Sequence, residues 1–394
     1  MVSQRELSMN NPSDIQLPVL YWLNQRARHV QPAGNWDWVL QDPVVGRFAA
    51  VLFLLGRSGA VSLSEPTRHE LAQVYWGNKA RWLVRENQLK KVLSAFHRQG
   101  LAAIPLKGAA FLGALYRDIG LRSMSDVDLL VQPENFVSAV NILRQLGFRP
   151  CPKDDYENFT WLENLPKAYW PKELSFDDQH GLVIELHQHL INAWFLPAFP
   201  LNMDALWERS VLSNTDPTLE KSGENLWDRR LSPYDTLAYL CLHLALHGLQ
   251  FPQTCLDIDL SLRRLPQGWD WERFLERAGQ WQIRSAAYHA LSLCRDFMAT
   301  PLPDGILERL DPGWLARLRV SLLLSSGSIL ADRPSLGKRY PTLVKLALMD
   351  RLPLIFLTLL KLAFPDKAWR AHNPSGRSLL SHWLHVLHVV KRGD

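Results

Sequence analysis

Residues 106–131 read LKGAAFLGALYRDIGLRSMSDVDLLV, and the fold turns on the end of this stretch. Val127–Val131 is a short apolar run with acids at its start, which predicts a buried strand. Upstream, Ala102–Leu106 is a second apolar strand candidate and Gly108–Tyr116 reads as a short helix. Downstream, Pro133 opens a helix with Phe136, Val140, Leu143 and Leu146 on one face, ending at Gly147. Glu173–Phe176 and Leu182–His189 then read as two strands joined by the turn-like Asp177-Asp178-Gln179-His180-Gly181. Strand, helix, strand, helix and hairpin within about 90 residues describe a small α/β unit.

On both sides of this unit the pattern is helical. Leu71, Val74, Tyr75, Leu83, Leu89, Val92, Leu93 and Phe96 recur at spacings of three and four before Gly100, which stands where a helix C-cap belongs. Beyond Asn202, Ser232-Pro233 starts a helix, and Trp269–Ala278, Ser285–Met298 and Trp314–Leu324 continue the pattern. Ser325–Gly337 reads as a loop. The expected division is a helical region over 1–98, an α/β core over 99–200 and a helical domain with a basic tail over 201–394. The expected class is α+β, with a mixed sheet flanked by helices.

The chain has 394 residues and a net charge of +5, unevenly spread. Gly313–Asp394 holds 13 Lys/Arg against 4 Asp/Glu, a net of +9, so the first 312 residues carry −4. An apolar fraction of 47% excludes wholesale disorder. The four cysteines, 151, 241, 255 and 294, form no CxxC pair, which argues against a disulfide scaffold or zinc knuckle and suits a reducing cytoplasm. The first 16 residues contain no apolar run of the signal-peptide kind. The longest apolar run, Leu352–Phe364, is interrupted by Lys361 and falls short of the about 20 residues that span a bilayer.

The chemistry lies in the acids. Asp126 and Asp128 are two apart at the start of a strand, so their carboxylates share a face. Held that close they repel, unless a cation lies between them. Hard oxygen donors at this spacing suit Mg²⁺, with Mn²⁺ as the alternative, and the remaining ligands come from substrate phosphates. Glu185, in Val183-Ile184-Glu185-Leu186-His187, is the candidate third acid on a neighbouring strand, with alternation placing Val183, Glu185 and His187 together on a buried face. Three such acids would complete a two-metal site for displacement at phosphorus.

The run quoted above resembles the signature of a bacterial nucleotidyltransferase-like family within the polymerase-β superfamily. The similarity extends through the Glu185-Leu186-His187 strand, His243-Leu-Ala-Leu-His247-Gly248, Asp257 and Trp269-Asp270-Trp271. It is firmest over 100–190. The resemblance implies a polymerase-β-type core in which Asp126 and Asp128 bind metal, Glu185 helps activate the acceptor, and Gly108 approaches the triphosphate. One ion would sit on all three acids and a second on Asp126 and Asp128. Those relatives have Gly-Ser or Gly-Gly where this chain has Gly108-Ala109, so Lys107, Arg122, Ser123 or Ser125 would supply phosphate contacts instead. For Lys107 the plain alternative is a surface cation.

The implied reaction moves NMP from an NTP, ATP first, to an acceptor and releases pyrophosphate. The acceptor is open among a small molecule, a protein side chain and an RNA end. Nucleic acid is disfavoured, because the basic residues lie away from the acids. Two rival readings are a toxin–antitoxin type protein AMP transferase and a nucleotide-binding or interaction scaffold. His187, His243, His247 and Asp257 are assigned to the acceptor side, with structural histidines as the alternative. His243 and His247, four apart on an apolar helix, lack the intervening Glu of a zinc protease motif. The basic, amphipathic C-terminal stretch is compatible with peripheral membrane contact or with packing on its own domain.

Overall fold

The computed structural model describes residues 13–30, 36–42, 45–112, 115–116, 118–151, 170–192, 195–212, 229–250, 252–324, 341–364 and 383. It is a mixed α+β fold, as the sequence pattern leads one to expect. The N-terminal helices are α1 (Ser13–Val30), α2 (Ala49–Arg57) and the 34-residue α3 (Glu65–Arg98). Ser64 caps α3 by accepting from the Thr67 N–H, with Pro66 and Glu65 in the first turn and His97 and Arg98 in the last. Leu71, Tyr75, Leu89, Val92 and Phe96 are buried on it, whereas Val74 and Leu83 are exposed. Thirty-four residues of helix drift out of a single stripe, so two positions that fit the spacing locally end in solvent.

The central sheet orders its strands β1-β2-β5-β4-β3, with β1 Ile104–Pro105, β2 Val127–Leu130, β3 Arg149–Pro150, β4 Glu173–Asp177 and β5 Val183–His187. β2 and β5 are parallel and every other pair is antiparallel. Two helices lie along the chain between strands: α4 (Lys107–Phe111), shorter than the sequence suggests, and α5 (Phe136–Gln145). A 3-10 turn at Pro133–Asn135 precedes α5, and Leu146 at its end is exposed rather than part of its apolar face.

Alternation sorts the two sides of the sheet. Val127, Leu129, Leu174, Phe176, Ile184 and Leu186 point to one side and pack with Leu89, Val92 and Phe96 of α3 and Phe136, Val140 and Leu143 of α5. The opposite side carries Asp128, Glu173, Glu185 and His187. The expectation that Val183, Glu185 and His187 mark the buried face of β5 is therefore corrected: Ile184 and Leu186 face the apolar core, while Val183 and Glu185 are half-buried. His187 is the exception among these three β5 residues, with no exposed surface.

The C-terminal helices are α6 (Met203–Glu208), α7 (Pro233–Leu246), α8 (Pro252–Arg263), α9 (Trp271–Gln280), α10 (Arg284–Met298), α11 (Ile306–Leu310), α12 (Trp314–Leu323), α13 (Pro341–Ala347) and α14 (Leu352–Ala363), of which α7 and α8 face the polar side of the sheet. A short hairpin, β6 (Val211–Leu212) with β7 (Arg229–Arg230), precedes α7. Ser232 caps α7 by accepting from the Asp235 N–H. One apolar cluster joins Val19, Trp22 and Leu23 of α1, Phe48 to Leu55, and Leu237 to Leu262 of α7 and α8, so the N- and C-terminal helices share a core behind the sheet. α14 turns Leu352, Phe356, Leu359 and Leu360 outward, and among the described residues no helix is long and apolar enough to cross a membrane. The predicted loop at 325–337 and, Trp383 apart, the end of the basic C-terminal stretch beyond residue 364 lie outside the described residues.

Candidate functional site

The parallel register of β2 and β5 sets Asp128 directly opposite Glu185 and Leu130 opposite His187. The antiparallel register of β4 sets Glu173 opposite His187. Three neighbouring strands thus bring three carboxylates and an imidazole to one patch of the polar face. Asp126, one residue before β2, points to the same side. Asp128 Oδ1 receives Lys107 Nζ at 2.5 Å and His187 Nε2 at 2.9 Å. Lys107 Nζ is also 3.9 Å from Glu185 Oε2, and His187 Nε2 is 3.8 Å from it. His187 Nδ1 lies 3.1 Å from Glu173 Oε2, which also pairs with Lys172 Nζ at 2.9 Å. The His187–Glu173 approach is off the hydrogen-bond axis, and both atoms lack a hydrogen-bond partner.

Electrostatics follow this geometry. Burial alone raises a carboxyl's pKa, yet the Lys107 and His187 cations outweigh it and hold Asp128 well below its ordinary 3.8. Asp126 shifts the other way, because burial and the neighbouring Asp128 charge both favour its neutral form. Glu173 is held down, against burial, by His187 and Lys172. His187 is raised above 6.5: burial opposes its charge, but the hydrogen bonds to Asp128 and Glu185 and the Glu173 charge win. The site is a compensated cluster in which acids outnumber cations and Lys107 stands between two of them.

Lys107 is held unusually. It begins α4 with a left-handed φ of 48°, a conformation that costs a non-glycine residue on the order of 1 kcal/mol or more. The next residue, Gly108, is dictated by close approach. A Cβ there would meet Arg122 Nη1 at 2.0 Å and Met124 Sδ at 2.9 Å. Arg122 cannot give way, because its Nε and Nη2 donate to Asp257 Oδ1 and Oδ2 at 3.1 and 2.7 Å, deep between sheet and α8. Tyr116 Oη donates to the same Asp257 at 2.7 Å. The long segment between Gly108 and Asp126 is further pinned by α3, where Asn78 Nδ2 donates to the Gly120 carbonyl and Arg85 Nη1 to the Met124 carbonyl.

A cleft of about 310 Å³ opens over this patch. Lys107, Gly108, Arg122, Ser123, Ser125, Asp126, Asp128, Glu185, His243, His247 and Asp257 all line it. Every residue singled out from the sequence is thus at one place, with His187 buried in the cluster below. Within the cleft the residues fall into distinct groups. Arg122 and Asp257 pair with each other in the cleft lining through Arg122 Nε and Nη2. Asp128, Glu185 and His187 are the group of ligand atoms, among the described residues, that converge within 4.8 Å; Asp126 is outside it. His243 and His247 stack edge to face with ring centroids 4.4 Å apart. Burial and the Lys107 charge keep both uncharged, His247 being lowered to about 4. A larger hollow of about 720 Å³ between α3 and the β3–β4 edge brings together no such carboxylate cluster.

Sequence reading missed Glu173, Lys172 and Arg47, which also border the cleft. Glu173 could have been found: a hairpin centred on residue 180 pairs 173 with 187. No local signal marks Arg47, which reaches the cleft from the N-terminal helices.

A family model described as "Uncharacterised nucleotidyltransferase" matches residues 33–299. No curated protein and no solved structure matches the chain.

Proposed function

The chain belongs to this family of uncharacterised nucleotidyltransferases, and on that premise we propose that its cleft transfers NMP from an NTP, ATP first, to an acceptor hydroxyl or phosphate. The observation that carries the proposal is the strand register that sets Asp128 against Glu185, with Asp126 on the same side of one cleft. The donor set fits divalent ions, since hard oxygens converge where the structure already places the Lys107 ammonium. Asp126, Asp128 and Glu185 would hold these ions, Mg²⁺ as in the polymerase-β superfamily, and the ions would offset triphosphate charge and activate the acceptor. The acceptor oxygen forms a bond to the α-phosphorus, the bond to the β-phosphate bridge breaks, and pyrophosphate leaves. The acceptor proton passes to a site carboxylate, for which Glu185 is best placed.

Lys107 has a flexible stem and a side chain that is partly exposed in the cleft, so it can exchange Asp128 for a phosphate oxygen. Ser123 and Ser125 offer hydroxyls at the rim. The helix α7 forms the opposite wall with Leu240 and His243, a surface suited to a small molecule or a protein side chain rather than to a polyanion. Nothing in the cleft favours the toxin–antitoxin reading over others. The scaffold reading and the enzyme reading separate in calorimetric titration of each NTP with Mg²⁺ or Mn²⁺. Metal-dependent binding lost in Asp126→Ala/Asp128→Ala supports the enzyme; no binding to the wild type removes it.

A second reading concerns the C-terminus. The exposed Leu352, Phe356, Leu357, Leu359, Leu360 and Phe364, within the Gly313–Asp394 stretch of net charge +9, support docking on an anionic bilayer surface. Flotation with anionic but not neutral vesicles, lost in Phe356→Glu/Leu360→Glu, is the expected result; equal flotation of both proteins, or of neither, refutes it.

A further inference from the structure

We infer that His187 is itself a metal ligand, so that the centre is a mixed nitrogen–oxygen site of Asp128, Glu185 and His187, with Glu173 as the positioning residue that orients the imidazole. The inference rests on the metal-dependent reading above and changes its chemistry.

Four observations point the same way. First, the ligand atoms of Asp128, Glu185 and His187 converge within 4.8 Å, closer company than Asp126 keeps. Second, His187 Nε2 and Asp128 Oδ1 are 2.9 Å apart. Two donors at right angles, each about 2.1 Å from one ion, lie about 3 Å apart, so the pair already has the spacing of neighbouring ligands. Third, a cation stands in the site: Lys107 Nζ lies 2.5 Å from Asp128 and 3.9 Å from Glu185. Fourth, the far side of the ring is prepared. Nδ1 is fully buried, makes no hydrogen bond, and faces Glu173 Oε2 at 3.1 Å. A metal-bound histidine characteristically gives its other N–H to a carboxylate, which fixes the tautomer and the ring plane. A small rotation of the ring aligns that bond.

The register explains why one strand can do this. Glu185 and His187 are two apart on β5, so both side chains project to the polar face, and β4 supplies Glu173 opposite His187 while β2 supplies Asp128 opposite Glu185. Binding would release the Nε2 proton to solvent, leave Nδ1–H for Glu173, and displace Lys107 from Asp128, freeing its ammonium for a phosphate. Imidazole nitrogen is a poor donor for Mg²⁺ and a good one for first-row transition ions, so this centre favours such an ion over Mg²⁺, with Mn²⁺ the member that also suits the two carboxylates.

The test is pulsed EPR on the full chain loaded with one equivalent of Mn²⁺, with and without a non-hydrolysable ATP analogue. A ¹⁴N coupling of imidazole type is expected, changing to the ¹⁵N pattern when the protein carries ¹⁵N-histidine. It should vanish in His187→Asn and persist in His289→Asn, a histidine remote from the site. In Glu173→Gln the coupling should persist while Mn²⁺ affinity falls about 10–100-fold, the usual effect of losing an outer partner. Mn²⁺ bound without nitrogen coupling overturns the histidine ligand and leaves the carboxylate reading intact. Failure to bind Mn²⁺ at all overturns both. Unchanged affinity in Glu173→Gln overturns the role of Glu173. Wild-type spectra decide the ligand even if His187→Asn fails to fold.

Discussion

Replacing Lys107 by Met keeps the length of the side chain and removes its charge from the centre of the site. Asp128, whose side chain is 5% exposed, would then have only His187 to offset it. Breaking one partner out of a buried pair costs about 3–5 kcal/mol, and the lower figure applies because the Lys107 side chain keeps 19% of its exposure. Chains of 150–250 residues lose about 2–4 °C of Tm per kcal/mol and longer ones less, so a fall of about 5 °C is expected by scanning calorimetry. The sign with pH follows from Asp128. Its folded pKa is depressed below 3.8, so it contributes stability above that value, lost as pH falls through the folded pKa. Lys107→Met should therefore flatten the acid limb of the stability curve. Millimolar Mn²⁺ should restore more of the Tm in the variant than in the wild type, because the ion takes the vacated place between Asp128 and Glu185. NTP affinity should nevertheless drop, because the phosphate contact is gone. An unchanged Tm together with unchanged metal affinity would refute the assignment of Lys107 as the resident cation.

Other expectations follow from the same geometry. Gly108→Ala drives a methyl into a pinned Arg122 and should cost about 1–3 kcal/mol, read as a lower denaturation midpoint together with weakened NTP binding; a wild-type midpoint would contradict the close approach. Arg122→Lys loses the forked contact to Asp257, and a double-mutant cycle of Arg122→Ala with Asp257→Ala should show a coupling of about 0.5–3 kcal/mol, whereas additive losses would mean the pair is not linked. His289 is lowered to about 4 by burial and the Arg317 charge. The unfolded chain therefore binds the extra proton between pH 6.5 and about 4, and stability falls as pH falls through that window. His289→Gln should make the fall shallower; an identical slope would remove His289 as its source.

How much of this could be read beforehand depends on the range of each interaction. The alternation of Asp126, Val127, Asp128 and of Ile184, Glu185, Leu186, His187 is local, so the shared face of the acids was visible in the sequence. A neighbouring strand carrying Glu185 was expected from the acids, but its register was not, because 52 residues of chain separate Leu130 from Val183 and no pattern specifies it. The pairing of Arg122 with Asp257 was not legible because the partner is 135 residues away on α8. The side of β5 that faces the core was misjudged for a related reason. Both alternating sets on that strand are buried to some degree, one by apolar side chains and one by the helices over the cleft, and sequence periodicity does not say which layer lies on which side.

The most direct test of nucleotidyl transfer is to incubate the purified chain with Mg²⁺ or Mn²⁺, cell extract and ATP labelled at either the α- or the γ-phosphate, then follow where the label goes. Label from α-labelled ATP alone should enter an acceptor, with pyrophosphate released, and both should disappear in Asp128→Asn. Transfer of the γ-label, or α-labelling that survives Asp128→Asn, would contradict it.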